Sequence, residues 1–172
     1  MAADLARRGV ASPQRLACWG GSNGGLLVGN MLTRYPERFG AVWCTIPLLD
    51  MRRYSKLLAG ASWIAEYGDP DVPEDWEFLQ GFSAYQLAEA GKDYPPILLW
   101  TSARDDRVHP GHARKMAARL QALGYDNVYF YEPPQGGHGT SDFEQTAHMW
   151  ALGFAFLRRM IGPLPKAAAP SL

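Results

Sequence analysis

Apolar positions fall in two rhythms along the chain. Short runs at residues 15–19, 41–46 ("AVWCTI"), 97–102 ("ILLWTS") and 127–131 ("NVYFY") are too brief for helices. They are rich in β-branched and aromatic side chains and bounded by Gly, Pro or Asp, which predicts strands. None alternates cleanly between apolar and polar, as expected of strands covered on both faces of a parallel sheet. Longer stretches between them keep a helical period. Residues 25–35 are apolar nearly all round, predicting a buried helix. Over residues 111–123, Ala113, Met116, Leu120 and Leu123 share one face, and Gly124 is placed to stop the helix. Phe143, Ala147, Trp150, Phe154, Leu157 and Ile161 keep the period again, with Gly162 and Pro163 after them. Strand then helix, repeated, implies a doubly wound α/β fold, a mostly parallel sheet flanked by helices. Residues 49–93 break the rhythm. Trp63, Trp76, Phe78 and Phe82 lie there among Asp, Pro and Glu, predicting helices and loops that cross the top of the sheet. The opening "MAADLARRGVASPQRL" reads as the end of an amphipathic helix and a turn. Residues 163–172, ending "LPKAAAPSL", read as a disordered tail after a single domain at 1–162.

Composition narrows the partners. The chain has 172 residues, 47% hydrophobic and 20% charged, enough to bury one domain's core. Its formal net charge is zero, so nothing favours nucleic acid or an anionic membrane surface. No apolar run approaches the roughly 20 residues that span a bilayer, and the start lacks an apolar signal core. Cys18 and Cys44 both lie in strand-like runs and read as buried thiols rather than a bridge. These features point to a cytoplasmic location, with no nucleic-acid or membrane partner.

The candidate chemistry begins at Gly20-Gly21-Ser22-Asn23-Gly24, which fits G-x-S-x-G between a strand and a helix. That is the context of a nucleophile elbow, a turn tight enough to hold the serine hydroxyl exposed. The neighbours two residues either side must lack bulk, so Gly20 and Gly24 are expected to be sterically required. The following helix points its amide end at the site, and the Asn23 backbone N–H is a natural donor to an oxyanion. A dinucleotide fingerprint would need glycine at position 22, and a phosphate loop a Lys-Ser/Thr pair, so both are excluded.

A serine hydroxyl is a poor nucleophile near neutral pH and needs a base, which in turn needs an orienting group. In this fold class these follow in the order Ser, acid, His, on loops after later strands. Asp105 lies in "RDDRVHPGH" after the third predicted strand, and His138 in "QGGHGTSDF" after the fourth. Both loops leave the sheet at the edge where Ser22 sits. His109 and His112 share the acid's own segment, and His148 falls within the last helix. A metal site of Asp105, Asp106, His109 and His112 is the competing reading of that segment, although no ligand pair recurs elsewhere.

These residues resemble the catalytic domain of the prolyl oligopeptidase family of serine peptidases. "GGSNGG" is similar to that family's nucleophile segment, "DDRVHPGH" to its acid segment and "GGHG" to its histidine segment. The resemblance favours Asp105 over Asp106 as the acid. It implies that Arg107 grips a substrate carbonyl, that Val108 lines the specificity pocket, that Trp63 in "ASWIAEYGDP" stacks on a proline, and that Tyr67 stands near it. Glu66, beside Tyr67, is similar to the extra acids of branches that cut after basic residues. The implied fold is the C-terminal half of an α/β-hydrolase domain, with no cofactor and no metal. Family members carry further hydrolase strands and a β-propeller ahead of the nucleophile. A missing N-terminal half or propeller domain is therefore the expected protein partner, and the first strand of the sheet an uncovered edge. The function implied is hydrolysis of oligopeptides, after proline in particular, through Ser22, Asp105 and His138 and an acyl-enzyme. An esterase or thioesterase with the same triad remains open, as does a non-catalytic fragment that associates through its incomplete sheet.

Overall fold

The computed structural model describes residues 1–162; the tail expected at 163–172 lies outside the described residues. A short helix α1 (Ala2–Arg7) and a 3-10 turn at Pro13–Arg15 lead into strand β1 (Ala17–Gly21). Helix α2 (Asn23–Arg34) returns the chain to β2 (Ala41–Thr45). A long excursion follows, with three 3-10 segments and the short helices α3 (Ile64–Tyr67), α4 (Pro73–Leu79) and α5 (Ala84–Leu87). Strand β3 (Ile97–Trp100), helix α6 (Gly111–Ala122), strand β4 (Val128–Tyr131) and helix α7 (Phe143–Ile161) complete the described chain.

The strands form one parallel four-stranded sheet in the order β1-β2-β3-β4, so each strand pairs with its neighbour in sequence. β2 and β3 are buried at every position, which explains why their sequences do not alternate. β1 and β4 are edge strands and only half-covered. On one face α2, α5 and α6 bury Val28, Leu32, Ala84, Met116 and Leu120 against Val42, Cys44, Ile97 and Leu99. On the other, α7 sets Phe156 against Trp43 and Leu98. A third cluster caps the carboxyl ends of the strands, where the excursion brings Met51, Tyr54 and Leu79 against Leu26, Leu48 and Val108. Cys18 and Cys44 are free. Burial pushes the Cys18 thiol up to about 12, and the Cys44 thiol higher still, so both stay protonated at neutral pH.

Element types agree with the sequence pattern, but several boundaries move. The first strand starts and ends two residues later than expected, because residues 13–15 form a 3-10 turn while Gly20 and Gly21 stay in register with Cys44 and Thr45. Glycine weakens a lone strand, yet pairing on one side suffices to hold it here. The first long helix starts at Asn23 rather than at 25, directly after the serine. It is less enclosed than its composition predicts: Leu27 is 61% exposed. The expected uncovered edge is β1, where Trp19 is 48% exposed and lies 4.8 Å from Trp150 and 5.5 Å from Trp43, ring to ring.

Candidate active site

Ser22 sits at the turn from β1 into α2 with φ 58 and ψ −117, a conformation L-residues seldom adopt. Such backbone costs of order 1–3 kcal/mol and persists only where its surroundings enforce it. Here the enforcement is backbone pairing. The Ser22 N–H donates to the Thr45 carbonyl at 3.0 Å, and its carbonyl accepts from the Leu26 and Leu48 N–H groups at 3.2 and 3.4 Å. Close approach dictates the glycines around it. A Cβ on Gly20 would lie 2.3 Å from the Gly24 carbonyl oxygen, one on Gly21 2.6 Å from Thr45 Oγ1, and one on Gly25 2.6 Å from Pro47 Cα. A Cβ on Gly24 would meet nothing within 4 Å. The symmetric steric requirement expected of Gly20 and Gly24 is thus corrected: the turn presses Gly20 onto the backbone of Gly24 but leaves the Cα of Gly24 facing open space.

The other two loops leave the same end of the sheet. After β3, Asp105 is 4% exposed, and its Oδ1 accepts the N–H groups of Arg107 and Val108, both at 2.9 Å. After β4, His138 places Nδ1 3.0 and 2.9 Å from the two Asp105 carboxylate oxygens, and Nε2 2.9 Å from Ser22 Oγ. A carboxylate can only accept, so Nδ1 carries the proton and the Nε2 lone pair faces the serine hydroxyl. Further bonds hold the two loops together. The His138 N–H donates to Asp106 Oδ1 at 3.3 Å, and Ser102 Oγ donates to the Gln135 carbonyl at 3.3 Å and to that of Gly136. The histidine side chain keeps 12% of its surface exposed. The arrangement can therefore pass a proton from hydroxyl to imidazole, with the carboxylate fixing the ring and opposing the charge it gains.

Beside Ser22 opens a small cleft of about 100 Å³ lined by Asn23, Leu48, Trp63, Glu66, Tyr67, Arg107 and Val108. Every substrate-binding position expected from the sequence faces it: Trp63, Tyr67, Arg107 and Val108. Val108 is buried, while Trp63 and Tyr67 are half-buried against the capping cluster. The guanidinium of Arg107 forms no ion pair with Asp106 or any other described residue, and its backbone carbonyl accepts from the Ala59 N–H at 3.3 Å. The backbone N–H of Asn23, at the first position of α2, has no intrahelical partner and lies at the positive end of the helix.

Leu48 was not legible as a cleft residue. A leucine just past an apolar strand reads as core, and only the turn at Ile46 and Pro47 directs it toward Ser22. Nor was the role of His112 legible. It is 2% exposed, and its Nδ1 accepts the N–H groups of Leu49 and Asp50 at 3.3 and 3.0 Å, pinning the chain just behind the cleft. Burial holds its pKa down at about 4. Asp105, Asp106, His109 and His112 do not converge, and among the described residues no three His, Cys, Asp or Glu side chains form a candidate metal site. No helix among the described residues is long and apolar enough to cross a membrane.

Comparison with known proteins bears on the family and the fold. The sequence pattern of the prolyl oligopeptidase family matches residues 1–163. An uncharacterized peptidase of Sinorhizobium fredii, y4nA, is 42% identical over 158 residues, covering 91% of this chain and 22% of that protein. The prolyl endopeptidase of Elizabethkingia miricola is 41% identical over 119 residues, covering 69% of this chain and 17% of that protein. Among solved structures, a post-proline cleaving enzyme from Rickettsia typhi superposes with a TM-score of 0.90 at 37% identity, covering 93% of this chain and 23% of that one. The chain thus spans about a fifth of the length of these relatives, and the fold they share with it is the α/β-hydrolase fold.

Proposed function

Because the chain belongs to the prolyl oligopeptidase family, we propose that it is catalytic-domain sequence of a serine peptidase acting on oligopeptides, with cleavage after proline preferred. The observation that carries this reading is the unbroken line of hydrogen bonds from Ser22 Oγ through His138 to Asp105.

In the proposed reaction Ser22 Oγ attacks the scissile carbonyl carbon as its proton passes to His138 Nε2. The carbonyl oxygen becomes an oxyanion that accepts the Asn23 N–H at the start of α2. Collapse breaks the C–N bond, and the imidazolium returns the proton to the leaving amine. Water then attacks the ester on Ser22, giving its proton to His138; collapse breaks the bond from the acyl carbon to Ser22 Oγ, His138 returns the proton to that oxygen, and the acid product leaves. Asp105 holds the imidazole and stabilises its charged form throughout. No cofactor enters these steps. A proline ring is flat, apolar and without an N–H, and the indole of Trp63 offers it a matching face. Arg107, with no competing carboxylate partner, can donate to a peptide carbonyl and hold the substrate in register. An esterase would have less use for either residue.

Labelling the purified chain with a fluorophosphonate tests the proposal. Uptake should occur at Ser22 and be lost in Ser22→Ala and His138→Ala, and turnover of a proline-containing peptide amide should fall by at least about 10³-fold in Ser22→Ala. A well-folded wild-type chain that takes up no label would overturn it, returning the reading to a non-catalytic associating fragment, which the open edge of β1 favours.

A further inference from the structure

Tyr67 and Asn23 are 44 residues apart, on different walls of the cleft, yet the Tyr67 hydroxyl donates to Asn23 Oδ1 at 2.6 Å. Tyr67 ends α3 and continues the wall begun by Trp63. Its ring is fixed: it meets Tyr54 edge-on at 5.9 Å and 85°, and lies 6.5 Å from Phe82. Tyr54 is itself anchored through its hydroxyl to the Gly68 carbonyl at 2.5 Å. Asn23 is the first residue of α2, where an asparagine oxygen readily turns back to capture a backbone N–H of its own first turn. Such a capture would consume the amide positive end that an anion needs. The Tyr67 hydroxyl binds that oxygen instead, and holds the Asn23 side chain toward the pocket wall.

We propose that Tyr67 is a positioning residue for the reaction, whose hydroxyl, by holding the Asn23 side chain, aims the Asn23 backbone N–H at the oxyanion and couples it to the pocket wall. The proposal rests on the serine-peptidase reading of the site. It gives the wall a part in rate as well as in affinity. A side chain seated against Trp63 and Tyr67 steadies the same residue that stabilises the transition state, so a fitting substrate gains in kcat.

Tyr67→Phe keeps the ring and its contacts with Tyr54 and Phe82 and removes one hydrogen bond. With a proline-containing peptide amide, kcat should fall about 10-fold while KM stays within about twofold, a part of what loss of an entire oxyanion donor costs. A peptide aldehyde, which forms a tetrahedral adduct with the serine, should lose affinity in the same ratio as kcat, while the corresponding alcohol should bind unchanged. Asn23→Ala should show the same pattern, and Tyr67→Phe/Asn23→Ala should be no worse than either single variant. A Tyr67→Phe chain that raises KM but keeps kcat and aldehyde affinity would show that Tyr67 is pocket wall alone. Independent, additive losses would overturn the coupling as well. Wild-type chain that fails to take up fluorophosphonate would instead remove the peptidase reading, and this inference with it.

Discussion

Ser22 occupies strained backbone because three demands meet at one residue: the strand must end, the helix must begin, and a hydroxyl must stand clear of both. The strain is held by pairing of its N–H and carbonyl with Thr45, Leu26 and Leu48, and by the absence of side chains where β1, α2 and the β2 exit press together. The two glycines flanking Ser22 in the G-x-S-x-G pattern are therefore not equivalent. In Gly20→Ala the new methyl would meet the Gly24 carbonyl oxygen at 2.3 Å, a backbone atom that cannot swing aside. That variant should lose on the order of 1–3 kcal/mol of stability, together with fluorophosphonate uptake at Ser22. Gly24→Ala points its methyl into open space and removes a flexible residue from a helix, so it should fold at least as stably, with a gain of up to about 1 kcal/mol. Urea denaturation of the pair decides the matter. Equal destabilisation would show that the turn is not packed as described.

Helix α7 covers the far face of the sheet, and one of its residues sets how close it lies. A Cβ on Gly153 would fall 2.2 Å from the Trp43 ring, which is buried in β2 and itself contacts Trp150 edge-on at 5.3 Å. The helix thus pays for proximity with a glycine in its middle. Helix propensity alone favours alanine there by about 1 kcal/mol. The clash should reverse the sign, and Gly153→Ala should lower the melting temperature, with a net loss of about 1–3 kcal/mol from overpacking. Trp43→Phe, which shortens the ring that alanine meets, should recover part of the loss when the two are combined. The helical period at Phe143, Trp150 and Ile161 makes the existence of α7 legible. Gly153, by contrast, reads in the sequence as a mild defect, because nothing local reveals the indole beneath it.

At the scale of the whole molecule, His112 joins α6 to the exit of β2 and so ties that helix to the chain just behind the cleft. Its Nδ1 can accept the Leu49 and Asp50 N–H groups only while it lacks a proton, and burial, opposed by the nearby Asp50 carboxylate, holds its pKa at about 4. An unfolded histidine titrates near 6.5. Between those values the unfolded chain binds more protons than the folded one, so stability falls as pH drops from about 6.5 toward 4. The loss attributable to this residue reaches about 3 kcal/mol at the low end. Asp50 acts below that window. Burial works against its charge, but hydrogen bonds from Lys115, Gln86 and Arg53 hold it below the usual carboxylate range, so its contribution is also lost on acidification. His112→Asn keeps an acceptor and removes the titration. Its urea midpoint should change little from pH 6.5 to 4, whereas that of the wild type should drop, and parallel curves would refute the assignment.

The order of strands and helices, the sheet's parallel sense and the three segments bearing Ser22, Asp105 and His138 were all readable along the chain, because periodicity and glycine-flanked turns are local properties. Apolar runs without alternation already imply cover on both faces, and the loops that follow parallel strands necessarily gather at one end. Contacts between segments were not readable, because they depend on which side chains distant residues offer. Leu48 at the cleft, the link from Tyr67 to Asn23, the anchoring by His112, the seat of Gly153 on Trp43 and the idle space beside Gly24 were settled only when the layers closed. A single chain records spacing. Distance across a core is a joint property of elements that meet only after folding.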